Sequence, residues 1–156
     1  MRINALAVGM RMPAWVDSGI DHYAKRLPRH IDLQFTEIPA PPRTSGVTKA
    51  KAMAKEGDAL LKAARDADCI IALDERGKSC TSIELSAELQ VWLNDFPRVA
   101  LLIGGADGLD PRCREAADRV WSLSSLTLPH PLVRVVLAEQ IYRAWTLLQG
   151  HPYHRE

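Results

Sequence analysis

Four stretches of the chain bring together residue types that could do chemistry. Gly104-Gly105-Ala106-Asp107-Gly108 follows directly on the apolar run Val99-Ala100-Leu101-Leu102-Ile103. Glycine at the carboxyl end of a strand lets backbone approach a ligand or turn left-handed. The pattern is not the dinucleotide G-x-G-x-x-G, and it lacks the Lys-Ser/Thr of a P-loop. Leu73 ends a second apolar run, Cys69-Ile70-Ile71-Ala72-Leu73, and either packs in the core or lines the same crevice. The uncharged segment Leu123-Ser124-Ser125-Leu126-Thr127-Leu128 offers another wall. Its amides could bracket an adenine and a ribose while its leucines give the base an apolar bed. The chain ends in Gly150-His151-Pro152-Tyr153-His154-Arg155-Glu156, which supplies a stacking ring, a phenol, an imidazole proton acceptor and a guanidinium for a phosphate or carbonyl. His130, between two prolines, is either a turn residue or stands at the pocket mouth.

Other constellations carry less. His151 and His154 have metal-ligand spacing but no third ligand beside them, so no metal is expected. There is no G-x-S-x-G nucleophile elbow. Asp17, Asp21, His22, Lys25 and Arg26 interleave with an apolar helical stripe and form a solvated face, with Asp21 and Lys25 at the i,i+4 spacing of a surface pair.

These groups need elements to hold them. Met1 to Gly9 is short, mostly apolar and closed by a glycine, which fits a first strand better than a signal peptide. Val16, Ile20, Tyr23, Ala24 and Leu27 recur at helical spacing until Pro28, and residues 31–35 alternate as a strand does. The proline-rich 39–46 segment is a loop. A long helix then buries Ala50, Met53, Ala54, Gly57, Leu60, Leu61 and Ala64 and turns Lys49, Lys51, Lys55 and Lys62 outward. The strand 69–73 ends in a polar turn, 74–78, and Thr81 with Glu84 forms a capping box for the next helix. A last helix, entered through Pro131, has a broad apolar face that packs in its own core or against a second subunit. Alternating helices and nearly continuous apolar strands predict an α/β fold with a mainly parallel sheet flanked by helices.

The chain has 156 residues, 47% of them hydrophobic and 25% charged, enough for a single domain over 1–156. A net charge of +1 excludes a uniformly basic nucleic-acid binder, so an RNA partner requires a local positive surface. Cys69, Cys80 and Cys113 cannot all pair within the chain, which points to a reducing, cytoplasmic compartment. No run approaches the roughly 20 apolar residues of a membrane helix.

Taken together, four motifs resemble a known family over essentially the whole chain. They are Val8-Gly9-x-x-Met12-Pro13-x-Trp15-Val16, Leu102-Ile103-Gly104-Gly105-x-x-Gly108, Trp121-Ser122-Leu123-Ser124-x-Leu126-Thr127-Leu128-Pro129-His130 and the terminal His151-Pro152-Tyr153-His154-Arg155-Glu156. The sequence resembles the small bacterial SPOUT-class methyltransferases that methylate ring nitrogen N3 of a pseudouridine in large-subunit ribosomal RNA. That resemblance implies a sheet flanked by helices with a C-terminal trefoil knot, an exception to the rule against threaded connections. It implies a homodimer that binds S-adenosylmethionine through Leu73, Gly104, Gly105, Leu123, Ser124, Ser125, Leu126, Thr127 and Leu128. It also implies catalytic roles for His154, Tyr153 and Arg155, and the assembled ribosome as partner, with neither DNA nor membrane involved. Position 107 departs from the family pattern, being Asp where the family has Glu.

Overall fold

The computed structural model describes residues 1–154. Five strands alternate with five helices: β1 (Arg2–Val8), α1 (Ala14–Ala24), β2 (Asp32–Ile38), α2 (Lys49–Ala63), β3 (Cys69–Ser79), α3 (Ser82–Asp95), β4 (Arg98–Ile103), α4 (Pro111–Ala116), β5 (Arg119–Ser122) and α5 (His130–Leu148). A 3-10 turn, Pro152–His154, follows. The sheet order is β2-β1-β4-β3-β5, and every neighbouring pair is parallel. The parallel α/β expectation therefore holds.

The sheet is buried on both faces. Ile3, Ala5 and Ala7 of β1 join one apolar cluster, with Leu85, Leu89 and Trp92 of α3 and Leu137, Ile141 and Ala144 of α5. Leu6 and Val8 join the other, with Leu60 of α2 and Cys113 of α4. The helix α1 rides on α5, and the close crossing needs Gly19, whose Cβ would lie 3.0 Å from Val135. Double-sided burial explains why the strand sequences read as unbroken apolar runs.

Local signals set the helix starts. The Thr81 hydroxyl accepts from the Glu84 amide at 3.1 Å while the Glu84 carboxylate accepts from the Thr81 amide at 2.9 Å, completing the capping box. Thr48 caps α2 by accepting from the Lys51 amide at 3.2 Å, and Asp110 caps α4 ahead of Pro111. The apolar face of α5 is committed to its own core, with Leu137, Ala138, Ile141 and Ala144 buried.

Two expectations fail in instructive ways. The segment 74–78 is not a free turn: β3 continues to Ser79, with a register shift against β5 between Leu73 and Lys78. In α2 the inner positions go to Ala52 and Glu56 while Ala50 is exposed, because the carboxyl of Glu56 finds polar neighbours under the glycine turn described below. The β3 extension depends on Gly77, whose Cβ would lie 2.6 Å from the Trp121 backbone. Gly77→Ala should accordingly destabilise the protein by about 2 kcal/mol or more, since backbone cannot yield as a flexible side chain can. Urea denaturation checks this, and an unchanged midpoint would show that the strands can separate without cost.

Candidate active site

Because all five strands run the same way, the middle of β3, where its pairing with β4 ends, and the loops leaving β4 and β5 meet at one edge of the sheet. With the first turn of α2 they enclose a cleft of about 810 Å³. Leu73 and Asp74 from β3, Gly104 and Gly105 after β4, and Thr127 and Leu128 after β5 contribute to its walls. A pocket of about 140 Å³ adjoins it, lined by Leu73, Leu123, Ser124, Leu126, Thr127 and Leu128. Eight of the nine cofactor residues expected from the sequence thus line one continuous depression. Ser125 is exposed and lines neither part. Leu73 is both things the sequence allowed, a core residue 9% exposed and a wall of the cleft.

The glycine turn is tight. The Gly108 amide donates to the Gly105 carbonyl at 3.0 Å, with Gly108 at φ +90°. A Cβ on Gly104 would lie 2.5 Å from the Gly108 carbonyl carbon, so residue 104 cannot carry a side chain in this turn. Beneath it, a Cβ on Gly105 would meet the Glu56 carboxylate at 3.0 Å. Glu56 is 3% exposed; burial raises its pKa, the nearby Arg43 opposes that rise and Asp107 adds to it. Asp107 in turn forms an ion pair with Arg43 from the proline-rich loop and lies 3.8 Å from Lys49. Residue 107 is thus a carboxylate that fastens the 39–47 loop to the glycine turn. On the opposite side Arg114 binds Asp74 at 3.1 Å and the Leu109 carbonyl at 3.0 Å, fixing α4 to β3 where its pairing with β4 ends.

The structure resolves the two readings of His130 in favour of the cleft, which it lines. Its Nε2 is buried without a hydrogen-bond partner among the described residues. One turn later Arg134, 2% exposed, donates from Nη2 to the Gly9 carbonyl at 2.8 Å and faces Glu37 at 3.7 Å. Burial, and secondarily the Arg134 charge, hold His130 below the ordinary histidine range.

The tail residues are elsewhere. The Tyr153 hydroxyl donates to Glu139 Oε1 at 3.0 Å, and the same oxygen accepts from Arg143 Nε at 2.9 Å. The Tyr153 ring packs edge-on against Tyr142, with centroids 4.8 Å apart, and Arg26 and Arg143 lie over it. Burial, followed by the bond to Glu139, raises the phenol's pKa, so at neutral pH Tyr153 is a donor rather than a base. His154 ends the same turn, and its Nδ1 is buried without a partner among the described residues. Arg155 lies outside the described residues. Tyr142 and Glu139 are the residues sequence reading missed here; a Tyr and a Glu three apart on a helix carry no signal until the tail is seen to fold back on them.

Within one chain, then, cleft and tail do not meet. His130 and Val133 line the cleft while Glu139, Tyr142 and Arg143 hold the tail, which separates the two by roughly 9–20 Å along α5.

A parallel α/β sheet with a cleft of nucleotide size at its carboxyl edge defines a class of ligand-binding protein in which the chemistry is carried by loops. The chain belongs to the SPOUT methyltransferase family: residues 1–154 match the family model described as "Predicted SPOUT methyltransferase". It is 53% identical over 155 residues to the ribosomal RNA large subunit methyltransferase H of Marinomonas sp., covering 99% of this chain and 100% of the relative. To the protein of the same name from Hahella chejuensis it is 51% identical over 156 residues, covering 100% of both. Among solved structures, the fold is similar to that of a probable methylase family protein from Haemophilus influenzae, with a TM-score of 0.60, 10% identity, and coverage of 99% of this chain and 70% of that one.

The depressed His130 pKa has a signed consequence. The unfolded chain takes up a proton at this residue near pH 6.5 while the folded chain does so only at lower pH, so His130 removes stability as pH falls below about 6.5. In His130→Gln the melting temperature should fall less between pH 7 and pH 5 than in the wild type. Parallel melting curves across that interval would contradict the burial of a neutral imidazole.

Proposed function

We propose that this chain is an S-adenosylmethionine-dependent methyltransferase acting on ring nitrogen N3 of a pseudouridine in large-subunit (23S) ribosomal RNA of the assembled ribosome, as a cytoplasmic homodimer. The observation that carries the reading is the cleft at the carboxyl ends of β3, β4 and β5, to which eight of the nine expected binding residues contribute. The full-length relatives named ribosomal RNA large subunit methyltransferase H support the substrate class. No helix among the described residues is long and apolar enough to cross a membrane.

The residues fit the cofactor. Leu73, Leu123 and Leu128 offer the apolar seat that an adenine needs, and Glu75 and Lys49 put charges of both signs at the rim for a zwitterionic amino-acid end. Gly104 and Gly105 let the floor turn close tightly over Glu56, leaving backbone to face the ligand. When bound, S-adenosylmethionine supplies a methyl group activated by a positively charged sulfur. In this reading the loops after β4 and β5 belong to the family's trefoil knot.

The chain's own groups must manage a proton. N3 of a pseudouridine is a weakly acidic imide nitrogen, so its proton must leave for the nitrogen to act as nucleophile. We assign His154 as acceptor and Tyr153, kept protonated against Glu139, as a hydrogen-bond donor to the base. Arg155 is assigned to a phosphate or uracil carbonyl, where its planar fork is favourable. Since α5 holds tail and cleft apart in one chain, the tail that completes each cleft comes from the second subunit. Exposed Met10 and Trp15, each 52% exposed, lie on the α1 side and suit such a contact.

Incubation with labelled S-adenosylmethionine and ribosomes lacking the modification should methylate one pseudouridine of the large-subunit RNA, located by digestion and mass spectrometry; cofactor binding without transfer would move the substrate to another RNA. The subunit arrangement has its own test. Gly105→Val should lose cofactor binding, and His154→Ala should bind cofactor yet lose turnover. Mixing the two inactive variants should restore activity, because a heterodimer then holds one site with an intact cleft and an intact tail. No recovery after verified subunit exchange would place the tail in its own chain's site.

A further inference from the structure

The near-neutral net charge conceals a one-sided distribution. Residues 39–66 carry Arg43, Lys49, Lys51, Lys55, Lys62 and Arg65 against Glu56, Asp58 and Asp66. Since the whole chain is only +1, the remainder is net acidic. The three acids are held apart from the outer lysines or already matched: Glu56 is buried, Asp66 pairs with Arg65 at 3.5 Å, and Asp58, which shares the face of Lys55 and Lys62, is bound by Arg112 at 2.8 Å. Lys51, Lys55 and Lys62 are exposed and have no ion-pair partner among the described residues.

On α2 these three lysines project within about 40° of one another, in a stripe about 17 Å long. The stripe is placed next to the chemistry. Lys49 and Met53 line the cleft, so the first turn of α2 is a cleft wall and the lysines run away from it along the outside. Residues 49–63 contain none of the exposed large hydrophobic side chains, so the surface suits phosphates rather than an apolar partner. It also lies across the sheet from α1 and α5, leaving it free when those helices face a second subunit.

We propose that the Lys51–Lys55–Lys62 stripe of α2 is the docking surface for the ribosomal RNA sugar-phosphate backbone, leading the target strand to the cleft mouth. This rests on the rRNA reading above. Lysines at such spacing read no base identity; they act as point charges that hold an RNA strand in register while the cleft and tail select the nucleotide. They also reconcile a net charge of +1 with a polyanionic substrate, since phosphate affinity follows the local patch.

The test is a triple variant, Lys51→Gln, Lys55→Gln and Lys62→Gln, assayed for cofactor binding, ribosome cosedimentation at several salt concentrations, and methyl transfer. Cofactor affinity and kcat at saturating ribosomes should match the wild type, with KM for ribosomes raised about tenfold or more. The slope of log affinity against log salt should fall by about 2 units, as expected for three lost phosphate contacts. A control neutralising Lys25 and Lys78, already paired with Asp21 and Glu84, should change neither. An unaltered KM and slope in the triple variant, or an equal loss in the control, would overturn the inference. If wild-type enzyme binds ribosomes but methylates nothing, the functional reading fails while cosedimentation still decides the docking surface.

Discussion

Parallel pairing of five strands, buried on both faces, is the constraint from which the other features follow. A parallel sheet cannot be built from hairpins, so each strand must be followed by a crossover, and every loop leaving a strand arrives at the same edge. Leu73, Gly104 and Leu123, which are far apart in sequence, become neighbours around one opening for this reason. The helices then have little choice of side. Leu60 and Cys113 must cover Leu6 and Leu102, while Leu89 and Ile141 must cover Ile3 and Leu101. The cleft keeps its floor because Gly104 and Gly105 let the turn close against its own backbone and over Glu56.

Rigidity at the edge comes from charged groups that hold loops to the sheet. Arg43 reaches from the proline-rich loop to Asp107, Arg114 from α4 to Asp74, and Arg134 from α5 to the Gly9 carbonyl. Each links a connection to a strand, or to the turn that leaves it, at the cleft edge of the sheet. Exposed ion pairs contribute little to stability in general, and Lys25 with Asp21 is of that kind. Asp74 and Arg134 differ, having only 7% and 3% of their side chains exposed. Removing one partner there leaves a buried charge uncompensated, which is costly whatever the intact pair contributes. The polar network therefore keeps the opening in one shape more than it adds to overall stability.

The elements were largely legible because their signals are local. Alternation and apolar runs mark β1, β4 and the core of β3, and Thr81 with Glu84 marks the start of α3. What stayed hidden depended on partners distant in sequence. The polar residues 74–78 look like a turn, yet they extend β3 because Gly77 lets the strand pass Trp121. Glu56 falls on the inner side of an amphipathic helix, where sequence alone cannot show that the space beneath Gly105 is polar. Eight of the nine residues expected to bind line one depression because they lie where a parallel sheet gathers its connections. The docking of Tyr153 on Glu139 and Tyr142 was not visible, since it requires the chain to reverse after α5.

That reversal bears on how the two halves of the site are related. An α-helix is a stiff spacer of about 1.5 Å per residue, so groups tied to opposite parts of it cannot approach by side-chain motion alone. His130 is fixed near Gly9 by the fold at one end of α5, and Tyr153 is fixed to Glu139 further along. For a single chain to bring them together, the tail would have to surrender the Glu139 bond, the Tyr142 contact and the two guanidinium faces over its ring. A symmetric pairing needs none of this, because a two-fold axis near α5 exchanges the near end of one helix for the far end of the other. On the reading proposed above, the distance that separates cleft from tail in one subunit is what makes the dimer, rather than the monomer, the catalytic unit.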